Sequence, residues 1–520
     1  MKKNVRFIAA AIFALLACIS TLRAQMIDNT QATSTANAGI NKSLSDEVGA
    51  GRGDVLTPGS SIYIINRDPY RSIRRGRQLF QRKFTQAQGQ GPNDGDGVGD
   101  INTNLALGAG LTDSCALCHG RPRGSAGAGG NVVTRPDSRD SPHLFGLGLK
   151  EMLADEITTD LRSTRDLAVA RAQQRKKSVT LNLFSKGVQY GSITGNPDGS
   201  VNTSKVVGVD TDLRVKPFFA EGSTISIREF VVGALHKEMG LEASTDPDLL
   251  TASAGGRVTT PSGMVLDGSK DKISPPPAPD AQNGNEIDPA LVDHLEFYLL
   301  NYFKAAHYQQ NSTTDHGRAL FNKTGCSSCH IPDMTINHDR RVADVETVYD
   351  PVNGVFNSLF ATASTLYYTK DDGSGYPLLK LPLGNSFVVK DIFTDFKRHD
   401  LGTNFYERNW DGTLQTQFLT RPLWGVGSSG PYGHDGRSMT LNDAILRHGG
   451  EALNARNAFA ALKPNDQSSL ITFLNSLVLF PPDDTASTLD PADPTKANFP
   501  QFGHGSIKLT VLFNDSTDLE

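Results

Sequence analysis

Cysteine is scarce in this sequence, at five in 520 residues, and one of the five, Cys18, lies inside an N-terminal apolar run. A pair of zinc ribbons needs more Cys or closely spaced His than the other four supply. Disulfides closed within C-x-x-C pairs would be strained. Tryptophan is scarcer still, with only Trp410 and Trp424. Beyond the N-terminus no apolar run reaches eighteen residues, which leaves no transmembrane segment in the mature chain. No run of acidic ligands with EF-hand spacing is present. The formal net charge is -5, so no basic excess points to nucleic acid.

What is there begins with 50 Gly and 27 Pro against a hydrophobic content of 38%, the composition of a loop-rich globular chain. Its length predicts two or three domains. Lys2, Lys3 and Arg6 precede an apolar stretch from Phe7 to Ile19, and Ala24 offers a small residue for cleavage before Gln25. That is the pattern of a signal peptide over residues 1–24, so the expected location is the periplasm or the medium. Leu15-Leu16-Ala17-Cys18 also reads as a lipobox, which would anchor the chain by lipid at Cys18. Residues 25–68 are rich in Ser, Thr, Asn, Gly and Asp and read as a flexible arm.

Four of the cysteines form one pattern used twice: Cys115-Ala-Leu-Cys118-His119 and Cys326-Ser-Ser-Cys329-His330. C-x-x-C-H is the attachment pattern of c-type haem. The two thiols add across the haem vinyls, and the adjacent imidazole ligates the iron. Two such motifs predict two covalently attached haems. Export agrees with this chemistry.

A second repeat precedes each motif. Gly76-Arg-Gln-Leu79-Phe80 recurs as Gly317-Arg-Ala-Leu320-Phe321. G-x-x-L-F before C-x-x-C-H reads as the first helix of a cytochrome c unit, with Leu and Phe inward and Gly allowing a close helix crossing. The crossing partners are a helix from Pro289, capped by Asp288, and one over Asp466 to Phe480. The expected fold is therefore mainly α: two cytochrome c-like haem domains, 69–305 and 306–482, with long loops and few short strands. A polar tail, 483–520, carries one candidate strand, Ile507 to Phe513.

The stretch Pro431-Tyr-Gly-His434-Asp435-Gly436, followed by Thr440-Leu-Asn-Asp-Ala-Ile445, resembles the P-Y-x-H-D-G…T-L-x-E-A-I signature of bacterial dihaem cytochrome c peroxidases and their MauG-type relatives. His448-Gly-Gly-Glu-Ala452 is most similar to the dihaem oxidoreductases also called thiol oxidoreductases. In that superfamily the distal ligand of the C-terminal haem lies fourteen residues after the His of H-D-G. Counting from His434 gives His448, so the resemblance implies His330/His448 coordination. Met439 is the rival ligand, and His434 supports the haem edge or a propionate.

For the first haem, Arg135 to Leu149 looks like the family's R-x-S-P…G-x-G-L segment. Lys216 to Gly240 resembles the family's distal-pocket stretch, with Glu229 in the place of the distal acid and Phe230 in that of the neighbouring Gln. A buried carboxylate there can take and return the proton that peroxide cleavage requires. The family's inter-haem Trp appears here as Phe219. Both tryptophans follow the second motif, so inter-haem electron transfer is slowed or moved to another residue.

The resemblance implies an exported peroxidase-like oxidoreductase. The His330/His448 haem passes electrons to the His119 haem, which reacts with a small oxidant, peroxide or dioxygen. It also implies a periplasmic electron donor, and in some relatives a Ca²⁺ between the domains. Two alternatives remain: an oxygenase similar to the dihaem rubber oxygenases, and a pure electron carrier with both irons six-coordinate.

Overall fold

The computed structural model describes residues 43–91, 110, 112–120, 126–129, 131–132, 139–279, 284–302, 306–307, 310–349, 359–409 and 411–478. The signal segment, Cys18, Trp410 and the tail with its candidate strand lie outside them. No helix among the described residues is long and apolar enough to cross a membrane.

The G-x-x-L-F repeat becomes two helix crossings. Helix α1 (Pro69–Gln81) carries Gly76, and α5 (Ser312–Lys323) carries Gly317. Between them in sequence lie α2 (Leu147–Arg175), α3 (Ile227–Ala234) and α4 (Pro289–Asn301). After them come α6 (Leu441–Arg447) and α7 (Pro464–Asn475). A Cβ on Gly76 would lie 2.2 Å from the His294 carbonyl oxygen of α4, and one on Gly317 would lie 2.1 Å from that of Ser469 in α7. Only a hydrogen fits at either point. Leu79, Phe80, Leu320 and Phe321 are all buried beside these crossings. Asp288 caps α4, its Oδ1 accepting from the Ala290 amide at 2.8 Å, with Pro289 in the first turn.

Alanine at either glycine is therefore expected to destabilise the protein. The new methyl gains about 1 kcal/mol of helix propensity but forces apart two packed backbones, a strain of about 1–3 kcal/mol or more. Denaturant titration of Gly76→Ala and Gly317→Ala measures it. An unchanged midpoint in both would refute the crossing.

Strand content departs from the expectation. The described residues are 38% helix and 17% strand, a mixed fold rather than a mainly α one. The extra strands sit in the long connections. Val179–Ser185 and Val188–Gly195 form a hairpin joined by Lys186 and Gly187, at φ 51° and 83°. Two positive φ values in a two-residue loop match the right-handed twist of the strands. Leu183, Tyr190 and Ile193 bury against α2. Further hairpins pair Ala343–Tyr349 with Leu359–Thr365 and Tyr367–Lys370 with Leu379–Pro382.

Two local expectations also shift. Residues 43–68 are folded where the sequence suggested an arm: Leu44–Val48 and Ser61–Arg67 are helical, with Leu44, Ile64 and Ile65 buried. The last helix starts at Pro464 and ends at Asn475. Leu477–Val478 then pairs as a short strand with Ala306–His307, so Leu477 buries in a ladder.

Candidate functional site

Each C-x-x-C-H segment follows its G-x-x-L-F helix into the same kind of niche. Cys115–His119 is one helical turn, and Cys326–Ser328 is one 3₁₀ turn before Cys329 and His330. The Phe80 ring lies 6.4 Å from that of His119, and Phe321 lies 6.2 Å from His330. His119 Nδ1 donates to the Pro142 carbonyl at 2.7 Å, and His330 Nδ1 donates to that of Phe393 at 2.9 Å. A carbonyl only accepts, so Nδ1 carries the proton and Nε2 keeps its lone pair. This backbone contact is what orients a metal-ligating imidazole. Burial pushes both rings down to about 4, so they are neutral at physiological pH.

Both motifs line one continuous cavity of about 1140 Å³ with a largely apolar wall. No disulfide joins the four motif cysteines. Burial raises the thiol pKa of Cys118 and Cys326, and pushes that of Cys115 up to about 12. A redox dithiol needs a depressed thiol instead. A large apolar cavity, paired thiols on its wall and neutral imidazoles with free lone pairs fit haem.

His448 joins His330 in this cavity. Thr440 caps α6, its Oγ1 accepting from the Asp443 amide at 3.1 Å, and His448 is the residue that ends the helix. Its Nδ1 donates to the Ala444 carbonyl at 2.7 Å, the same arrangement as in the two motif histidines. Burial lowers its basicity too. Met439 is 74% exposed, turned into solvent. His434 lines the cavity with its ring stacked on Phe418, centroids 4.2 Å apart.

Asp435 entered the sequence reading only as part of the P-Y-x-H-D-G signature, and Arg447 was not singled out. Arg447 forks onto Asp435, Nη1 to Oδ1 at 2.8 Å, and also donates to the Asn404 carbonyl. This clamp ties the H-D-G loop to the end of α6, next to His448. The sequence signals were the signature that holds Asp435 and the position of Arg447 next to His448.

Glu229 sits in the first turn of α3 and lines the cavity on the side of the first motif. It is buried, not a solvated helix-face acid. Ser226 Oγ accepts from the Glu229 amide at 3.1 Å; Glu229 Oε2 accepts from the Ile225 amide and Ser226 Oγ, and Oε1 from the Ser274 amide. This is close to a capping box. Burial raises its pKa, against those donors, which lower it.

The neighbouring wall is apolar. Phe230 meets Phe219 at 5.3 Å and Phe218 at 5.8 Å. Phe219 holds φ 61°, which costs a non-glycine residue about 1 kcal/mol or more. One turn along α3, a Cβ on Gly233 would meet nothing within 4 Å.

Trp424 lies where the sequence did not place it. It lines the shared cavity, and a Cβ on Gly146 would lie 2.9 Å from its ring. His143 Nε2 donates to its carbonyl at 2.9 Å. A tryptophan that follows the second motif thus packs on the segment that follows the first.

Among the described residues, one trio of metal-capable side chains converges, Cys329, Asp395 and His399. It is not the all-oxygen set that Ca²⁺ takes. His399 gives one nitrogen to Asp395 and the other to Glu451. Burial opposes its charge, but hydrogen bonds to Asp395, Cys329 and Glu451 raise it to about 10. It is an imidazolium with no lone pair to offer.

No curated protein matches the chain. A hydrazine synthase chain from Kuenenia stuttgartiensis, solved under 20 bar xenon, covers 86% of this chain and 100% of its own at 13% identity, with a TM-score of 0.32. At that similarity nothing is carried over from it. The family described as "di-haem oxidoreductase, putative peroxidase" matches residues 353–477, a span holding the H-D-G loop, the Asp435–Arg447 clamp, His448 and α7. Within that segment, about a quarter of the chain, the sequence is similar to the peroxidase-like dihaem oxidoreductases.

Proposed function

We propose that the protein is an exported dihaem c-type cytochrome, periplasmic or secreted, that acts as a peroxidase-like oxidoreductase. Two cytochrome c-like units, 69–305 and 306–482, would hold thioether-linked haems at Cys115/Cys118 and Cys326/Cys329. The observation that carries this reading is one cavity receiving both C-x-x-C-H histidines and His448, each with Nδ1 held by a backbone carbonyl. Bound haem iron supplies one-electron transfer at one site and reduction of peroxide at the other.

The chain's own residues divide that labour. His330 and His448, which line the same cavity, would both ligate the haem of the second site, which suits a relay fed by an external electron donor. His119 would ligate the haem of the first site, and no second ligand is assigned to it among the described residues. Gly233 lines the same cavity, and the open space beside it leaves room for a small oxidant. Glu229 holds the proton that a reacting peroxide must give up and recover. Trp424, which belongs to the segment after the second motif and packs on Gly146 after the first, would carry electrons from one to the other. The apolar wall of Phe218, Phe219 and Phe230 supports a second reading, an oxygenase acting on an apolar substrate with dioxygen.

The test begins with a pyridine haemochrome assay, in which two acid-acetone-resistant haems per chain are expected. One haem per chain, or extractable haem, defeats the proposal. Cyanide or peroxide should then change the spectrum of one haem and leave the other silent. Two low-spin haems blind to both reagents, oxidised and half-reduced, would make the protein an electron carrier. Oxygen uptake with an apolar polyene, and no peroxide turnover, would favour the oxygenase.

A further inference from the structure

Lys150 stands in the first turn of α2, and Arg421 opens the Arg421-Pro-Leu-Trp424 segment. Both line the cavity, and both are half-buried. Burial pushes the Lys150 ammonium down to about 7, and the nearest charge it feels is another cation, Arg421. Arg421 is pushed down to about 10 by burial and then by Arg139, with only partial relief from Asp140 and Glu221. Arg139 already holds Glu221 and Glu407. No ion pair or side-chain hydrogen bond joins Lys150 or Arg421 to another described residue. Two cations therefore face an apolar cavity with no ion pair of their own, a position that favours an anion arriving with the ligand.

We propose that Lys150 and Arg421 are the carboxylate site of this cavity and bind the propionates of the haem carried on His119. This rests on a haem being attached at Cys115 and Cys118. The placement follows from what each cation reaches. Arg421 lies three residues before Trp424, whose carbonyl accepts from His143 Nε2 at 2.9 Å on the segment that follows the first motif. Lys150 Nζ lies 5.4 Å from the centre of the Phe218 ring, on the wall of the first site. The guanidinium fork suits a carboxylate, and the ammonium adds a second charge. Because Lys150 precedes the second motif and Arg421 follows it, one pair of carboxylates would draw both parts of the chain together beside Trp424.

The test uses the haem-loaded protein with Lys150→Met, Arg421→Met and the conservative Lys150→Arg. Haem is counted first: a wild-type protein without haem on His119 overturns the proposed function itself, whatever the cations do. With both haems present, redox titration of Lys150→Met and Arg421→Met should show one potential lowered and the other unchanged, because a lost cation no longer favours ferrous iron. The propionate bending band of one haem should shift in resonance Raman spectra. Lys150→Arg should restore both signals. The unchanged second potential is the control for folding, and Lys150→Met, with a side chain of similar length, keeps the test open if Arg421→Met does not fold. Potentials and propionate bands identical to wild type in Lys150→Met overturn the assignment. So does benzoate, as probe, perturbing the His119 haem and losing at least tenfold in affinity in Lys150→Met while the potentials stay fixed; the site would then serve an external carboxylate.

Discussion

His448→Met is expected to leave both haems attached and to raise one potential by tenths of a volt, a fraction of the roughly 0.8 V that axial ligands span. The argument starts from position. Thr440 fixes the start of α6, and the Arg447–Asp435 clamp fixes its end against the H-D-G loop. His448, the next residue, has its ring set by the Ala444 carbonyl. An imidazole so held favours ferric iron, whereas a thioether favours ferrous. Two nearby candidates are poorly placed to take over: Met439 points to solvent, and both nitrogens of His399 are already occupied. His448→Ala should open the same iron and give a high-spin signal. Unchanged spectra and potentials in both variants would remove His448 from the coordination.

The parts legible in the sequence were those whose chemistry is local in the chain. C-x-x-C-H fixes thiols and imidazole within five residues. G-x-x-L-F places the crossing glycine and the Phe that packs on the motif histidine within one turn and a half. His448 followed from counting along a loop and helix of family-like length. What escaped was mostly non-local. Arg447 is useful because Asp435 folds back to it, and Trp424 because Gly146 lies against it. Lys150 reads as a solvated helix lysine until α2 is seen to begin at the cavity wall.

The strands escaped for a different reason. Val179–Gly195 does alternate, and Lys186-Gly187 is a hairpin turn, but the segment lies in a connection, where a helical reading of the chain leaves loop. Residues 43–68 misled by composition: their polar residues include the caps Ser43 and Ser60, which start helices rather than prevent them. Phe219 shows the limit of substitution by position. It stands where the resemblance implies Trp, yet the tryptophan in this cavity comes from the other half of the sequence.

Glu229→Gln is expected to slow peroxide turnover by about a hundredfold or more, as a positioned proton-transfer group contributes roughly that much. Two roles compete for this carboxylate. Its three donors, Ile225, Ser226 and Ser274, are what a capping residue collects, and its burial beside the open space near Gly233 is what a proton shuttle needs. The variant separates them. An amide keeps the shape but sets an N–H against a backbone N–H, so stability should fall by about 1–3 kcal/mol, the cost of an unsatisfied buried group. That loss alone leaves turnover per folded, haem-loaded molecule intact. Cyanide binding, which involves no oxygen–oxygen cleavage, should change far less than turnover. The pH profile gives a third reading. Burial raises Glu229 above the ordinary carboxylate range, and the reaction needs its ionised form. The wild-type rate should therefore fall as pH drops through that raised value, an acid limb that Glu229→Gln should lack. If the variant loses stability but keeps both full turnover and the acid limb, Glu229 is a helix cap, and the proton passes through another group on the cavity wall.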